Sequence, residues 1–407
     1  MVQVAIMGHG VVGSGAAEIL LTHKQQLFAN LGEEIRIKKI LDLREFPDSP
    51  IADRFTKDFD EILNDLEIRV VAEVMGGINP AYDYVKRLLK AGKSVVTSNK
   101  ELVAAHGAEL LSIAAQENVN FLFEASVGGG IPIIRPMNQC LVANIVDEVA
   151  GILNGTTNFI LTKMIEESMP FDDALRLAQE LGFAERNPEA DIEGHDACRK
   201  ICILASLAYG KHIYPKSVHT EGITGITLED VRFASDFGCV IKLIGRVKKL
   251  KDGRIDIITA PMLVPCKSQL ANIDYEFNGI MVRGDCTGDV VFYGKGAGKL
   301  PTASAVVADI VDCCQHLKER RFLFWADGDG SNIIDYRESV TAMYLRVKGE
   351  NALEKAASLF GEIESSEEAD VCAFTTAKMV YGDFLEKAEA LKAEGVEILS
   401  TIRVGDL

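Results

Sequence analysis

Val2–Met7, short and apolar, runs straight into Gly8–His9–Gly10–Val11–Val12–Gly13, and a helical pattern follows from Ser14 to Leu21. Few openings constrain a chain as strongly. In a strand–turn–helix of this kind the first glycine makes the tight turn and the second lets a pyrophosphate approach the backbone. The third lets the helix close on the strand, and the phosphates sit on the helix N-terminus. The glycine pattern alone also suits a turn in other α/β proteins, but with strand and helix in register it predicts dinucleotide binding through Gly8, Gly10, Val11, Val12 and Gly13. Residues 35–43 read as the second strand and end in Asp42, beyond the usual ~20-residue interval, so a long helix and loop must intervene. An acid there suits a ribose 2′-hydroxyl and repels a 2′-phosphate, whereas Arg44 does the reverse. The balance leans to NAD and leaves NADP open.

Further strands are expected at 68–74, which carries Glu73 and leads into Met75–Gly76–Gly77, at Ser94–Thr97 and at Phe121–Phe123, with a helix from Asn79–Pro80. Strands alternating with helices specify a mostly parallel sheet with ligands at the strands' C-terminal ends. Gly76, Thr97, Ser98 and Lys100 fall at such ends. Lys100 is placed to reach a nicotinamide edge or a substrate carboxylate, or else is a helix-start surface lysine. Glu124–Ile134, EASVGGGIPII, must be irregular backbone. Its carbonyls and Glu124 make an oxygen-rich loop suited to a hard monovalent cation; a glycine hinge is the equally simple alternative.

Gly151–Met164 places Asn154, Gly155, Thr156 and Thr157 in a polar turn before an amphipathic helix, where hydroxyls either meet substrate or cap the helix. Gly182–Lys200, GFAERNPEADIEGHDACRK, carries Glu185, Asp196 and Lys200. Asp196 and Lys200 are i and i+4 and share a face if 194–208 is helical. With Glu185 arriving from the preceding loop, two carboxylates and an amine suit a small zwitterion, the lysine exchanging a proton with a substrate oxygen once burial tunes it. The plain alternative is a surface pair worth ~0.2–0.5 kcal/mol. Residues 222–293 look mixed, with strands near 253–259 and 290–292. Tyr293–Ile310 is a second glycine-rich turn feeding a helix, with Gly296 and Gly298 bordering the cofactor. After a charged stretch, 341–347, 352–359, 371–376, 385–393 and 396–404 read β-α-β-α-β, with room for another strand near 360–365.

The 407 residues are 48% hydrophobic with 11 prolines, enough for two or three packed domains. The formal charge of −17 disfavours nucleic acid and anionic membrane alike, because both want a basic footprint. No basic n-region or long apolar run is seen, which predicts a cytoplasmic protein. Nine cysteines, among them Cys140, Cys239, Cys313, Cys314 and Cys372 in apolar surroundings, fit reduced core thiols. Cys198 and Cys202 have only His195 as a near imidazole, which argues against a metal there.

Seven blocks in order, GHGVVGSG (8–15), MGGINPA (75–81), GKSVVTSNK (92–100), EASVGGGIPII (124–134), GILNGTTNFIL (151–161), the 182–200 segment and YGKGAGKLPTASAVVAD (293–309), resemble homoserine dehydrogenases over roughly residues 2–310. The resemblance implies an α/β architecture: a Rossmann-type NAD(P)-binding domain over 1–133, rejoined by a helix at 301–318, and an α+β substrate-binding and dimerisation domain over 134–300. A linker over 320–338 and a small ACT-like α+β domain over 339–407 complete it. It implies interconversion of L-homoserine and L-aspartate 4-semialdehyde with NAD or NADP, on the route to threonine, methionine and isoleucine, in a homodimer or homotetramer. By the same resemblance Lys200 is the acid/base, Glu185 and Asp196 bind substrate with Gly155 and Thr156 nearby, and Lys100 lies near cofactor and substrate. Glu124 with the carbonyls of Val127, Gly129 and Ile131 corresponds to a sodium site. Ser98 replaces a usual alanine, and Arg186–Asn187 replace a Pro-Asp pair. The βα turn Lys348–Gly349–Glu350–Asn351 is shorter than the family's effector-binding turn, so the last module is expected to serve assembly more than threonine inhibition. The rival readings are a dehydrogenase of another small amino-alcohol and a non-catalytic amino-acid sensor.

Overall fold

The expected alternation of strand and helix yields a six-stranded parallel sheet. Its strands are β1 (Val2–Met7), β2 (Ile35–Leu41), β3 (Phe55–Thr56), β4 (Ile68–Glu73), β5 (Ser94–Thr97) and β6 (Phe121–Leu122), in the order β3-β2-β1-β4-β5-β6. The intervening helices are α1 (Val11–Thr22), α2 (Lys24–Leu31), α3 (Asp60–Leu63), α4 (Ala81–Lys90) and α5 (Lys100–Gln116). The computed structural model describes all residues, Met1–Leu407. Val4–Met7 and Ser94–Thr97 are buried without alternation, the pattern of strands covered on both faces. The two-residue edge strand β3 has no sequence signal of its own. The order reverses between β1 and β4, so the loops after these strands flank the crevice where such sheets take ligands.

By contact the chain forms two compact units; the first comprises Met1–Ile145, Cys202–Pro215 and Gly294–Asp329. In it the helix Lys299–Gln315 packs along α1, close enough that a Cβ on Gly15 would lie 2.9 Å from the Ala303 methyl. Residues 320–329, within the stretch read from sequence as a linker, carry the buried Leu323 and Trp325. The Trp325 indole N–H donates to His212 Nδ1 at 2.8 Å, so the 2.9 Å contact of Nε2 with the Ala104 carbonyl is a donation from a neutral imidazole. Burial lowers the His212 pKa in keeping with this. Cys239, Cys313 and Cys314 are buried, but Cys140 is exposed, contrary to the core placement expected of it. It ends the π-turn Pro136–Cys140, of which only Met137 is buried.

The second unit, Val146–Ile201, Lys216–Tyr293 and Gly330–Leu407, is built on one mixed sheet. Its strands are β7 (Val146–Ile152), β8 (His219–Thr220), β9 (Cys239–Lys249), β10 (Ile255–Pro265), β11 (Phe277–Gly284), β12 (Gly288–Lys295), β13 (Val340–Lys348), β14 (Ile363–Glu368), β15 (Val371–Thr376), β16 (Met379–Val380) and β17 (Glu397–Val404). The main path runs β12-β11-β7-β9-β10-β17-β13-β15-β14. Helices α6 (Gly155–Glu167), α7 (Phe171–Glu180), α8 (Glu189–Ile192), α9 (His195–Tyr209, which ends in the first unit) and α10 (Leu228–Asp236) follow β7 and β8, and α11 is the Lys299–Gln315 helix already met. The C-terminal strands with α12 (Ala352–Phe360) and α13 (Tyr381–Ala393) form βαββαβ, and β14 fills the space left for a strand near 360–365. No helix is long and apolar enough to cross a membrane.

The C-terminal strands continue the larger sheet, because β17 pairs in parallel with β10 through Met262↔Arg403 and Leu263↔Val404. A buried ion pair reinforces the junction: Arg346 Nε of β13 lies 2.9 Å from Asp230 of α10, which also accepts from the Tyr344 hydroxyl at 3.2 Å. Removing one partner of such a pair leaves an uncompensated buried charge. Asp230→Ala is therefore expected to cost about 3–5 kcal/mol, read as a lower denaturant midpoint for the second unit; a shift within error of zero would contradict the assignment.

Candidate active site

The nucleotide side begins at the C-terminal end of β1. Gly8 has φ +95°, which only glycine takes without strain. A Cβ on Gly13 would stand 1.9 Å from the Gly8 carbonyl oxygen, whereas one on Gly10 would meet nothing within 4 Å. The first and third glycines thus serve the turn itself, and the second borders open space beside the start of α1, where Val11 is 65% exposed. Asp42 and Arg44, alternatives on sequence grounds, form one unit. Asp42 accepts the His9 N–H at 2.7 Å, and the Arg44 guanidinium clasps both its oxygens at 2.9 and 2.8 Å. Arg44 holds the Asp42 carboxyl far below the usual carboxylate range. The guanidinium lies over Phe46, which stacks on Phe55, with His9 edge-on to both rings. Of the two, the guanidinium is the outer charge, 61% exposed against 8% for the Asp42 side chain.

Glu73 organises the next two loops. It is buried, which raises its pKa. It accepts the Met75 N–H at 2.8 Å and the Thr97 hydroxyl at 2.6 Å. Thr97 Oγ1 in turn accepts the Asn99 N–H at 2.9 Å. Asn99 donates to the Gly77 carbonyl at 2.5 Å and caps α5 through the Leu102 N–H at 3.1 Å. Gly76, at φ +79°, Ser98 and Lys100 are thereby held on a hydrogen-bonded frame, Lys100 as the first residue of α5. Gly298, at φ +126°, precedes α11. Sequence reading found Glu73 only as a strand residue; its frame role needs the β4–β5 adjacency.

The Glu124 loop is also tightly specified. The Glu124 carboxylate accepts the Ile133, Ile134 and Arg135 N–H groups at 2.6, 2.8 and 2.8 Å. Its own N–H donates to Asp309 at 2.8 Å, and Arg135 pairs with Asp309 at 2.7 Å. Burial and the nearby Glu124 push the Asp309 carboxyl up to about 8. The Gly128 carbonyl closes a turn to the Ile131 N–H, and a Cβ on Gly129 would lie 2.2 Å from the Gly296 oxygen. Close packing therefore accounts for the glycines, with Val127 and Ile131 buried on either side.

In the second unit α9 forms as its i, i+4 pattern predicts. Lys200 Nζ, 7% exposed, donates to Asp196 Oδ2 and to the Leu153 carbonyl, both at 2.8 Å. The pair is buried, which removes the solvated-surface alternative. Asn154 uses both amide hydrogens on carboxylates, Asp191 Oδ1 at 2.7 Å and Asp196 Oδ2 at 2.9 Å, while its oxygen caps α6 at the Thr157 N–H. Asp191 was missed: it lies in the quoted segment but on the separate helix α8, outside the i, i+4 spacing. Glu185 is exposed, and no contact joins it to Asp196 or Lys200. Its loop is tied down two residues earlier, where the Thr156 hydroxyl donates to the Phe183 carbonyl at 2.6 Å. Gly155 is required by packing, since a Cβ would stand 2.6 Å from the Glu276 oxygen.

The glycine geometry separates two substitutions. Gly10→Val should melt like the parent yet lose roughly tenfold or more in dinucleotide affinity, whereas Gly13→Val should fail to fold. Equal cofactor affinity in Gly10→Val and parent, by fluorescence titration, would place the pyrophosphate elsewhere.

Two family models match, one described as homoserine dehydrogenase over residues 132–311 and one as its NAD-binding domain over 8–124. The chain is 38% identical to a homoserine dehydrogenase of Neisseria gonorrhoeae, over 93% of this chain and 91% of that one. A solved homoserine dehydrogenase from Thiobacillus denitrificans superposes with a TM-score of 0.89 at 32% identity, over 100% of this chain and 98% of that one. A hyperthermophilic archaeal homoserine dehydrogenase in complex with NADPH matches 77% of this chain and 97% of its own, with a TM-score of 0.65 at 26% identity. With matches of this extent across both units, the chain belongs to the homoserine dehydrogenase family.

Proposed function

We propose that this oxidoreductase interconverts L-homoserine and L-aspartate 4-semialdehyde with Lys200 as the proton-transferring group. The observation that carries the reading is the buried Lys200–Asp196 pair joined through Asn154 to Asp191. Asp196 and Asp191, with Glu185 from its loop, hold the substrate ammonium, and Gly155 and Thr156 shape the floor. Lys200 accepts the hydroxyl proton in oxidation and returns it to the developing alkoxide in reduction. The nicotinamide, when bound, supplies or takes the hydride. The glycine turn and Arg44 fit the rest of that cofactor, and Lys100 and Ser98 face its reactive end. Because Asp42 is already committed to His9 and Arg44, the guanidinium favours a 2′-phosphate more than the bare acid would, so NADP is the better of two usable cofactors.

The functional modules in this reading are 1–133 for nucleotide, 134–300 for substrate and dimerisation, and 339–407 as an ACT-like module. Supporting that last likeness, β17, β13, β15 and β14 lie side by side within βαββαβ. By the family resemblance, the carbonyls of Val127, Gly129 and Ile131 would hold a sodium ion. Glu124, whose oxygens already accept three backbone N–H groups, supplies the countercharge and the turn. Asn351 takes φ +54° in the short turn before α12. With Glu350 beside it this turn is unsuited to an amino-acid carboxylate, which favours assembly over threonine inhibition.

One steady-state assay of homoserine oxidation tests these points together. Lys200→Ala should lower kcat by ~10²–10⁴-fold with cofactor affinity little changed, and near-normal turnover would sink the acid/base role. The parent should show higher kcat/KM with NADP than with NAD, lose rate when sodium is replaced by N-methylglucamine, and keep its rate in ~10 mM L-threonine. Each reversed result removes the corresponding claim.

A further inference from the structure

Arg403 of β17 is 3% exposed. Its guanidinium lies 4.3 Å over the Tyr381 ring, and Nη1 donates to Glu221 at 2.6 Å. Its Nε and Nη2 are buried and have no hydrogen-bond partner. Burying charged donors without an acceptor is costly, and the great majority of such groups in folded proteins are satisfied. Nε–H and Nη2–H point the same way from one edge of a planar fork, which matches the two oxygens of a carboxylate.

Arg403 lines a small cavity between β10 and the start of β13, with Arg246, Lys248, Asp256, Ser339 and Thr341 also in its wall. The cavity measures about 20 Å³, on the scale of one or two water-sized groups. Three cations and one carboxylate make up the charged wall, and Asp256 is already bonded to the Ser339 hydroxyl at 2.6 Å. Arg246 pairs with Glu148 and Asp406, while Lys248 reaches Asp406 only at 4.0 Å. The other cations of the wall are already countered by Glu148 and Asp406, so the donors left for a small carboxylate are Arg403 Nε and Nη2.

The cavity is wired to the catalytic acids by direct contacts. Glu221, which holds Arg403, also pairs with His219 at 2.7 Å. The next residue, Gly222, is packed so closely that a Cβ would lie 2.4 Å from the Ile192 oxygen, and the Ile223 N–H donates to that oxygen at 2.8 Å. A Cβ on Gly194 would lie 3.0 Å from the Glu221 carbonyl. Ile192–Gly194 is the connection between α8, which carries Asp191, and α9, which carries Asp196 and Lys200.

We propose that Arg403 anchors an effector site for a small monocarboxylate, of formate size, whose occupancy is transmitted through Glu221 and residues 192–194 to the substrate acids. The binding half stands on Arg403 and its cavity alone; the effector half rests on the homoserine reaction proposed above.

The probe is sodium formate, compared with sodium chloride at equal ionic strength on the full-length protein. Formate should raise Tm as the logarithm of its concentration above Kd, by roughly 2–4 °C at tenfold Kd, and Arg403→Lys, which keeps the charge but loses the fork, should abolish the rise. An equal rise in the variant overturns the site. If that variant does not fold, crystals of the parent soaked in formate decide: a planar ligand on Nε and Nη2 supports the site, and water alone on both atoms overturns it. Glycine binding as well as formate overturns the assignment to the smallest carboxylates. In the active enzyme the KM for homoserine should change at least about fivefold, with a half-effect near the Kd fitted to the Tm series, and an unchanged KM at saturating formate overturns the effector role. Formate binding in a protein inactive on homoserine would overturn the proposed reaction while leaving the site standing.

Discussion

Asn154 holds together groups that would otherwise repel. Asp191, half-buried, and Asp196, buried, are carboxylates converging on Asn154, and a single amide gives one hydrogen to each, while Lys200 adds an ammonium to the second. The fold around them is arranged to place that amide. Leu153 and Asn154 directly follow β7, so the sheet fixes their position. The Asn154 oxygen starts α6, and the absence of a side chain at residue 155 lets the Glu276 backbone close against the turn. An apolar side chain at 154 would remove a hydrogen bond from each carboxylate as well as the cap of α6, so this one amide serves both the acids and the helix start.

The nucleotide unit uses the same device with different groups. Glu73 is buried at the end of β4, and its two oxygens fasten the loops after β4 and β5. Burial penalises its charged form, and hydrogen bonds from Thr97 and Met75 partly restore it. In both units, then, a polar side chain at or just after a strand end, Asn154 in one and Glu73 in the other, orders the backbone around it. Glu124, accepting three successive backbone N–H groups, is a third instance. These acids act on the main chain, which is why substituting the exposed neighbours Val11 or Glu185 would disturb the scaffold far less.

What the sequence made legible was local. The β1–glycine–α1 unit, the i, i+4 pair on α9 and the order of the C-terminal elements follow from spacing within a dozen residues; the strands and α9 fall within a residue or so of expectation, while α1 starts at Val11 rather than Ser14 and α13 at Tyr381 rather than 385. What it hid depends on contacts distant along the chain. The edge strand β3 exists only because Ile40 and Leu41 pair with Phe55 and Thr56. Trp325 is buried because Gly107 and His212 leave a slot for it, although charged neighbours gave its segment the look of a tether. Asp42 and Arg44 read as competing signals for cofactor choice; as an ion pair they neutralise one another and leave the outer position to the guanidinium. Asp191 escaped because periodicity finds groups on one helix face and is blind to two helices meeting.

The attachment of the C-terminal strands shows how little backbone a shared sheet requires. β17 meets β10 through two residue pairs, far less than the ladder joining β13 to β17. Polar contacts add to it, Arg346 on Asp230, Ser366 on Asp236, Arg232 on Glu368, Arg254 on Glu338 and Arg403 on Glu221, beside ring contacts of Phe237 with Tyr344 and His219 with Tyr336. The exposed pairs contribute little individually; the buried Asp230–Arg346 and Arg403–Glu221 contacts set the register, since a shifted strand would strand their charges. A seam fixed by a few directional contacts has discrete alternatives rather than a continuum, which is the property a region needs if events at the C-terminal strands are to be felt at α9. The βαββαβ element thus remains a distinct folding pattern with its own core of Leu345, Phe360, Phe374, Phe384 and Leu391, while its charged edge belongs to the substrate unit.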